Sequence, residues 1–329
     1  MKAAVVREPY GVENLKVEEV PDPQIGHNAI LVKVNAGSLN PVDMNAIANR
    51  TVYGIKPMPH IVGSEIFGTA ETSGRTIKEG DRVLVYPRIF DSTCDNCLSG
   101  REYLCRNGGI FGIITNGGFC EKIAIGEQNM FRIPDDVDDD LAASLTVGAL
   151  TAYHALIRAQ AKPSEKILIF GGSGNTGLFA IQIAKAMGLE VHAVSRKEWV
   201  RDYGADHVYE KSEIPHDLYA DIVINSLGSA FWEDSLNHLD TGGRLVTFGV
   251  QTGVEGSLKL SSLYVREEKI IGSTGGSRKE LMDLIRMAKI YSLRTKVHAR
   301  YPLERIVDAV NEFPKRENGR IIITMKQGS

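Results

Sequence analysis

A short apolar run at residues 167–170 leads directly into a glycine-rich turn, an apolar segment at 178–187 and a second apolar run at 190–195. Gly172, Gly174 and Gly177 fall in the spacing G-x-G-x-x-G. In such a turn the first glycine permits the tight bend. The second lets backbone approach a pyrophosphate, and the third lets the following helix pack on the strand. The amides of the first helical turn, at Asn175 and Thr176, then face the phosphates with the helix dipole behind them. A lone glycine pattern also joins strands to helices in folds that bind no nucleotide. Here the flanking run has the apolar character of a strand buried on both faces, and 178–187 suits a helix enclosed in a core. Gly188 supplies a helix C-terminus. The expectation is a dinucleotide site.

The end of the second strand bears on the cofactor. A site for NAD usually places Asp or Glu there for the ribose hydroxyls. This chain has Ser195, Arg196 and Lys197. A carboxylate repels a 2′-phosphate, whereas a serine with two cations holds one. That favours NADP(H) over NAD(H), the alternative being two merely solvated cations.

From residue 166 onward, apolar runs at 167–170, 190–195, 221–225, 244–248 and 269–272 alternate with helical segments, as in a doubly wound parallel sheet. Asn225, Gly228, Phe248 and Gly249 fall at or just past strand carboxyl ends, where such sheets bind ligands. The earlier part differs. Runs at 30–34 and 81–86 sit among Gly, Pro and Asp turns and suggest a mostly antiparallel, barrel-like domain. The tail at 319–323 is one more strand outside the alternating region. A chain of 329 residues accommodates two domains. The net charge of −3 gives no basic stripe for nucleic acid. No apolar run is of membrane-spanning length, and the N-terminus lacks a secretion signal. Four cysteines, three of them clustered, suit an intracellular protein with a metal rather than a disulfide framework.

Several further segments follow one another in a specific order: Asn40-Pro41-Val42-Asp43, Gly63-Ser64-Glu65, Gly80-Asp81-Arg82-Val83, Gly117-Gly118-Phe119, Thr151-Ala152-Tyr153, the glycine turn, Gly204-Ala205-Asp206 and Gly242-Gly243-Arg244. With them the chain resembles the medium-chain dehydrogenase/reductase superfamily over nearly its whole length. The resemblance implies an α/β protein. A GroES-like, mostly β catalytic domain (1–148 and 276–329) would join a Rossmann domain (149–275), with the active site in the cleft between them. It also implies a cytoplasmic homodimer or homotetramer joined through the strand near 268–272, acting on a small molecule.

In the zinc alcohol dehydrogenases of that superfamily, three ligands hold a catalytic zinc. At the matching positions this chain has Asn40, Ser64 and Val147. An amide, a hydroxyl and an isopropyl group are not zinc ligands. Glu65, Asp43 and His60 lie near in sequence but make a poor substitute, and His60 reads as an ordinary packing or surface histidine. The expectation drawn from this loss is a site without catalytic zinc, of the quinone oxidoreductase or enoyl reductase branch. It would pass hydride from NADPH to an activated alkene, enone, enoyl thioester or quinone, with hydrogen-bond donors stabilising the enolate. Alternatives are an alcohol dehydrogenase or aldehyde reductase of the same fold, and a non-catalytic NADPH-binding protein. Tyr53 is either a donor to the substrate or an aromatic lid. Asn40 either positions substrate or nicotinamide ribose, or caps a turn. Thr151 faces the nicotinamide, or is simply a residue of a helix N-terminus.

Asp91, Cys94, Cys97 and Cys105 reproduce the gaps of three, three and eight residues of the family's structural zinc lobe, with Asp in place of the first Cys. Asp binds zinc through oxygen. One structural zinc per chain is expected, against a vestigial lobe or a Cys94/Cys97 redox pair. Cys120 reads as a packed free thiol.

Overall fold

The computed structural model describes residues 1–51, 54–55 and 57–325. Two compact units divide it, Met1–Val147 with Ser277–Ser329, and Gly148–Gly276.

The second unit is a six-stranded, all-parallel sheet. Its spatial order is His207–Tyr209, Glu190–Val194, Lys166–Phe170, Ala220–Asn225, Leu239–Thr247, Lys269–Gly272. In chain order this is 3-2-1-4-5-6, the arrangement of dinucleotide-binding sheets, with a crevice where the order reverses beyond Phe170. Ile167, Leu168, Ile169 and Phe170 are all fully buried, which explains an apolar run without alternation. The helix Asn175–Ala186 buries every residue from Gly177 to Ala184. It stops before Gly188, whose φ of +85° is left-handed. The third strand, His207–Tyr209, is three residues long and was not expected. So short an edge strand carries too little pattern to stand out from a turn.

The first unit is built around the ten-residue strand Ala29–Ser38. This strand pairs antiparallel with Glu65–Ala70, with Lys122–Gly126 and with Arg320–Thr324. Arg82–Val85 continues the sheet beyond Glu65–Ala70, and Val297–Pro302 lies parallel to Arg320–Thr324 on the other side. The alternation in Ala29–Ser38 places Ile30, Val32 and Val34 on one face, in a core with Ile66, Val83, Val85 and Ile123. The C-terminal strand therefore completes the sheet that the N-terminal third begins. No helix among the described residues is long and apolar enough to cross a membrane.

Candidate active site and metal centre

The nucleotide turn follows from close packing. A Cβ added at Gly177 would lie 2.1 Å from the Gly171 carbonyl oxygen, so no side chain fits between helix and strand. Gly174 is the N-cap of the helix, which places the Asn175 and Thr176 backbone N–H groups in its first turn. Ser195 follows the second strand and is nearly buried. Its Oγ accepts the Lys197 N–H at 3.0 Å, which curls the loop so that Arg196 is exposed. Glu198 is turned aside by an ion pair with Arg201 at 2.8 Å. No carboxylate in this loop therefore takes the place usual for an NAD site.

Beyond the fourth strand, Asn225 closes a tight loop. Its Oδ1 accepts the Leu227 and Gly228 N–H groups at 3.0 and 2.8 Å, and its Nδ2 donates to the Gly228 carbonyl. Phe248 and Gly249 follow Leu239–Thr247. A Cβ at Gly249 would lie 1.9 Å from the Ser226 carbonyl oxygen, so the two loops pass in backbone contact. Thr151 lies half-buried in the first turn of the helix Leu150–Arg158.

In the first unit, Asn40 is the N-cap of the helix Pro41–Ile47. Its Nδ2 donates to the Ser38 carbonyl at 3.1 Å and to Glu65 Oε2 at 2.8 Å. Glu65 Oε2 also accepts from Arg320 at 2.7 Å, and its Oε1 accepts the Val147 N–H at 2.5 Å. Asp43 is fully buried. Its two oxygens accept the Asn40 and Ser64 N–H groups, each at 2.8 Å. Burial nevertheless lifts its carboxyl from 3.8 to about 7, against the pull of those two donors. His60 is buried too, with Nε2 2.7 Å from the Gly112 carbonyl oxygen, the packing histidine that the sequence suggests. Tyr53 lies outside the described residues.

A catalytic zinc does not fit the family's ligand positions in this chain. Asn40, Ser64 and Val147 do not form a donor set, and both oxygens of Glu65 are engaged by Asn40, Arg320 and the Val147 amide. Arg320 went unnoticed in the sequence. Its one signal is a lone cation in an otherwise apolar tail strand.

The Asp91 lobe is a different case. Cys94 Sγ is 3.5 Å from Cys97 Sγ and 3.9 Å from Cys105 Sγ, too far for disulfides. Zinc–sulfur bonds of about 2.3 Å at tetrahedral angles set sulfur–sulfur separations of roughly 3.8 Å. Ligand atoms of Asp91, Cys94, Cys97 and Cys105 all lie within 4.8 Å of one another. Asp91 Oδ1 accepts the Thr93 and Cys94 N–H groups, and Oδ2 accepts from Asn107 at 2.6 Å. These donors hold its carboxyl well below the usual range, so it is a carboxylate at neutral pH. Zinc fits this set. Cys120 is buried elsewhere, and burial pushes its thiol up to about 12.

Comparison with known proteins agrees with this architecture. Residues 26–135 match the alcohol dehydrogenase GroES-like domain, and residues 176–289 match the zinc-binding dehydrogenase family. An alcohol dehydrogenase of Geobacillus stearothermophilus is 32% identical, covering 98% of this chain and 99% of its own. A thermostable alcohol dehydrogenase of Pyrobaculum aerophilum, also solved with cobalt and zinc bound, superimposes with a TM-score of 0.92 at 36% identity, over 98% of this chain and 99% of that one. An acryloyl-coenzyme A reductase of Sulfurisphaera tokodaii is 28% identical over 98% of this chain and 99% of its own. The chain belongs to the medium-chain, zinc-type alcohol dehydrogenase superfamily, a family of enzymes.

These findings correct the activity expected from the sequence. The relatives above 30% identity named here are alcohol dehydrogenases, and nothing places the chain in the quinone oxidoreductase branch. Loss of the three ligands makes an activated-alkene reductase without catalytic zinc the first expectation and alcohol chemistry the alternative, and the relatives favour the alternative. Absence of ligands at three positions removes one source of charge stabilisation, but it does not choose the bond that receives hydride.

Proposed function

We propose that this protein is a nicotinamide-dependent alcohol dehydrogenase or carbonyl reductase for small molecules, with zinc in the Asp91–Cys105 lobe. The observation that carries this is 32–36% identity to alcohol dehydrogenases along essentially the whole chain, combined with a glycine turn whose Gly177 has no room for a side chain. The reaction removes a hydride from the carbinol carbon to the nicotinamide and a proton from the hydroxyl, or runs in reverse. The amides of Asn175 and Thr176 bind the pyrophosphate. Asn225, Gly228, Phe248 and Gly249 shape the nicotinamide end, where Thr151 orients the ring. A phenol at Tyr53 is a suitable proton donor to the substrate oxygen, while Asn40, whose Nδ2 hydrogens go to Ser38 and Glu65, keeps the turn-capping role. Ser195, Arg196 and Lys197 favour NADP(H), because two cations and a hydroxyl suit a 2′-phosphate. Bound zinc supplies folding free energy to its lobe.

The deciding experiment follows reduced-cofactor absorbance with primary and secondary alcohols, aldehydes, ketones and enoyl thioesters. Turnover of an alcohol/carbonyl pair in both directions supports the reading. Turnover of enoyl thioesters alone overturns it.

A further inference from the structure

The first unit holds an open space where two of its sheets face each other. The strand Lys2–Val6 pairs antiparallel with His60–Ile61, placing Val5 opposite Ile61. The strand Lys122–Gly126 belongs to the larger sheet, through Ala29–Ser38. Between them lies a cavity of about 500 Å³, walled mainly by Val5, Ile61, Ile89, Phe111, Ile123 and Ile125. Ile61, Ile123 and Ile125 keep 6–8% of their surface exposed, whereas Val32 and Val83 in the same core cluster keep none. Interiors are ordinarily close-packed, so a void of this size forfeits contacts that an occupant would restore. The charges of the wall are of one sign. Arg7 and Lys122 line it, and no Asp or Glu does among the described residues.

We infer that this cavity binds a medium-chain aliphatic carboxylate, with the carboxylate at Lys122 and the chain along Val5, Ile61 and Ile123. Size, shape and charge together choose that class. The volume falls within the roughly 300–1,000 Å³ of small-molecule sites, which also favour the mouths of barrel-like domains. The shape is long. The Glu121 N–H donates to the Lys2 carbonyl, so Lys122 sits by the start of Lys2–Val6. Arg7 follows the end of that strand, about 17 Å away at ~3.3 Å per residue. An unbranched chain covers such a wall, whereas a compact polar molecule leaves it wet. The charge then selects an anion for the head. Arg7 already uses both Nε and Nη2 on Glu18, at 3.1 and 2.7 Å. Lys122 pairs with Glu71 at 3.1 Å, and an ammonium has two further donors. Glu18 and Glu71 stand outside the wall, so no carboxylate repels the head from within it. Asn40, Asp43, Ser64, Glu65 and Arg320 are not among the lining residues, which separates this cavity from the site described above.

The test titrates octanoate, decanoate and decanol, each below its micelle-forming range, into the full-length protein with its cysteine lobe loaded with zinc and no nicotinamide added. Calorimetry is expected to report one equivalent of decanoate per chain. Octanoate should bind roughly tenfold more weakly, for the loss of two buried methylenes. Decanol, with the same chain and no charge, should bind more weakly than decanoate by roughly tenfold or more. Decanoate also raises the melting temperature, as any ligand selective for the folded state does. Lys122→Met should bring decanoate down to the affinity of decanol. Val20→Trp puts a ring into the cavity from a half-buried wall position and should abolish binding of both, its own melting transition showing that it is folded. The inference is overturned if decanoate does not bind, or if it binds no better than decanol. Undiminished binding to folded Val20→Trp would equally overturn it, by placing the ligand at another site. The test does not depend on the dehydrogenase reading, because no turnover enters it.

Discussion

Gly177 and Ser195 bear on the proposed nucleotide site by opposite means, one through the lack of a side chain and the other through the lack of a charge. A methyl group at Gly177 would meet the Gly171 carbonyl oxygen at 2.1 Å, and that oxygen is backbone. Gly177→Ala must push the helix off the strand, a clash of the overpacking kind that costs about 1–3 kcal/mol. The expected outcome is a lower melting temperature and at least a tenfold weaker cofactor affinity, read by the fluorescence of reduced cofactor. Ser195→Asp introduces the carboxylate that this loop lacks. It should lower kcat/KM with NADP(H) and raise it with NAD(H), inverting their ratio, while leaving the melting temperature nearly unchanged. Asp43 has a different consequence. Its folded-state carboxyl titrates near 7 against 3.8 when unfolded, so the folded protein holds a proton that the unfolded chain releases. The stabilisation from that proton is complete below the unfolded value and is lost as pH rises through about 7. Urea unfolding across this window should show stability falling with pH. Asp43→Asn should flatten the slope, whatever its own cost from setting an amide against two N–H donors. The close packing at Gly177 was legible in the sequence because it is a matter of residue type at fixed spacing. The burial of Asp43 was not, since a carboxylate in Pro-Val-Asp reads as an ordinary first-turn acid until the Ser64 amide is seen to close over it.

At the scale of elements, legibility followed the amount of pattern each one carries. The strands Lys166–Phe170 and Lys269–Gly272 announce themselves by apolar runs between turn residues. His207–Tyr209 does not, although its register with Glu190–Val194 creates the His192/His207 pair. The lobe from Asp91 to Cys105 shows the converse. It holds only a four-residue helix, Asp95–Leu98, and a single 3₁₀ turn, Glu102–Leu104. Hydrophobic periodicity says nothing about so small a segment, yet ligand spacing alone identifies it. Leu98 and Leu104 stay exposed, so the lobe has little core of its own and depends on its ion. Removal of zinc by a strong chelator should leave the far-ultraviolet circular dichroism of the sheets nearly intact. Amide hydrogen exchange should rise sharply from 91 to 107. Cys97→Ser should reproduce that local exchange pattern without chelator.

Across the whole molecule, the sequence showed that the chain leaves its first domain and returns to it, but not what the return brings. Arg320–Thr324 docks beside Ala29–Ser38 and carries Arg320 into the interior, where it meets Glu65, 255 positions earlier in the chain. Both side chains are almost wholly buried, at 1% and 0% exposure. Because both charges are desolvated and meet at 2.7 Å, removing one leaves the other buried without its ion-pair partner. Losses of 3–5 kcal/mol are usual for such a cut, while exchanging the whole pair for apolar groups of similar volume is often near neutral. Arg320→Met should therefore destabilise the protein strongly in urea unfolding. Glu65→Leu combined with Arg320→Met should recover part of the loss despite being the larger chemical change. Recovery is limited, because the Asn40 Nδ2 and the Val147 N–H then lose their acceptor. Equal destabilisation by the single and double variants would mean that Glu65 serves those two donors more than it serves the arginine.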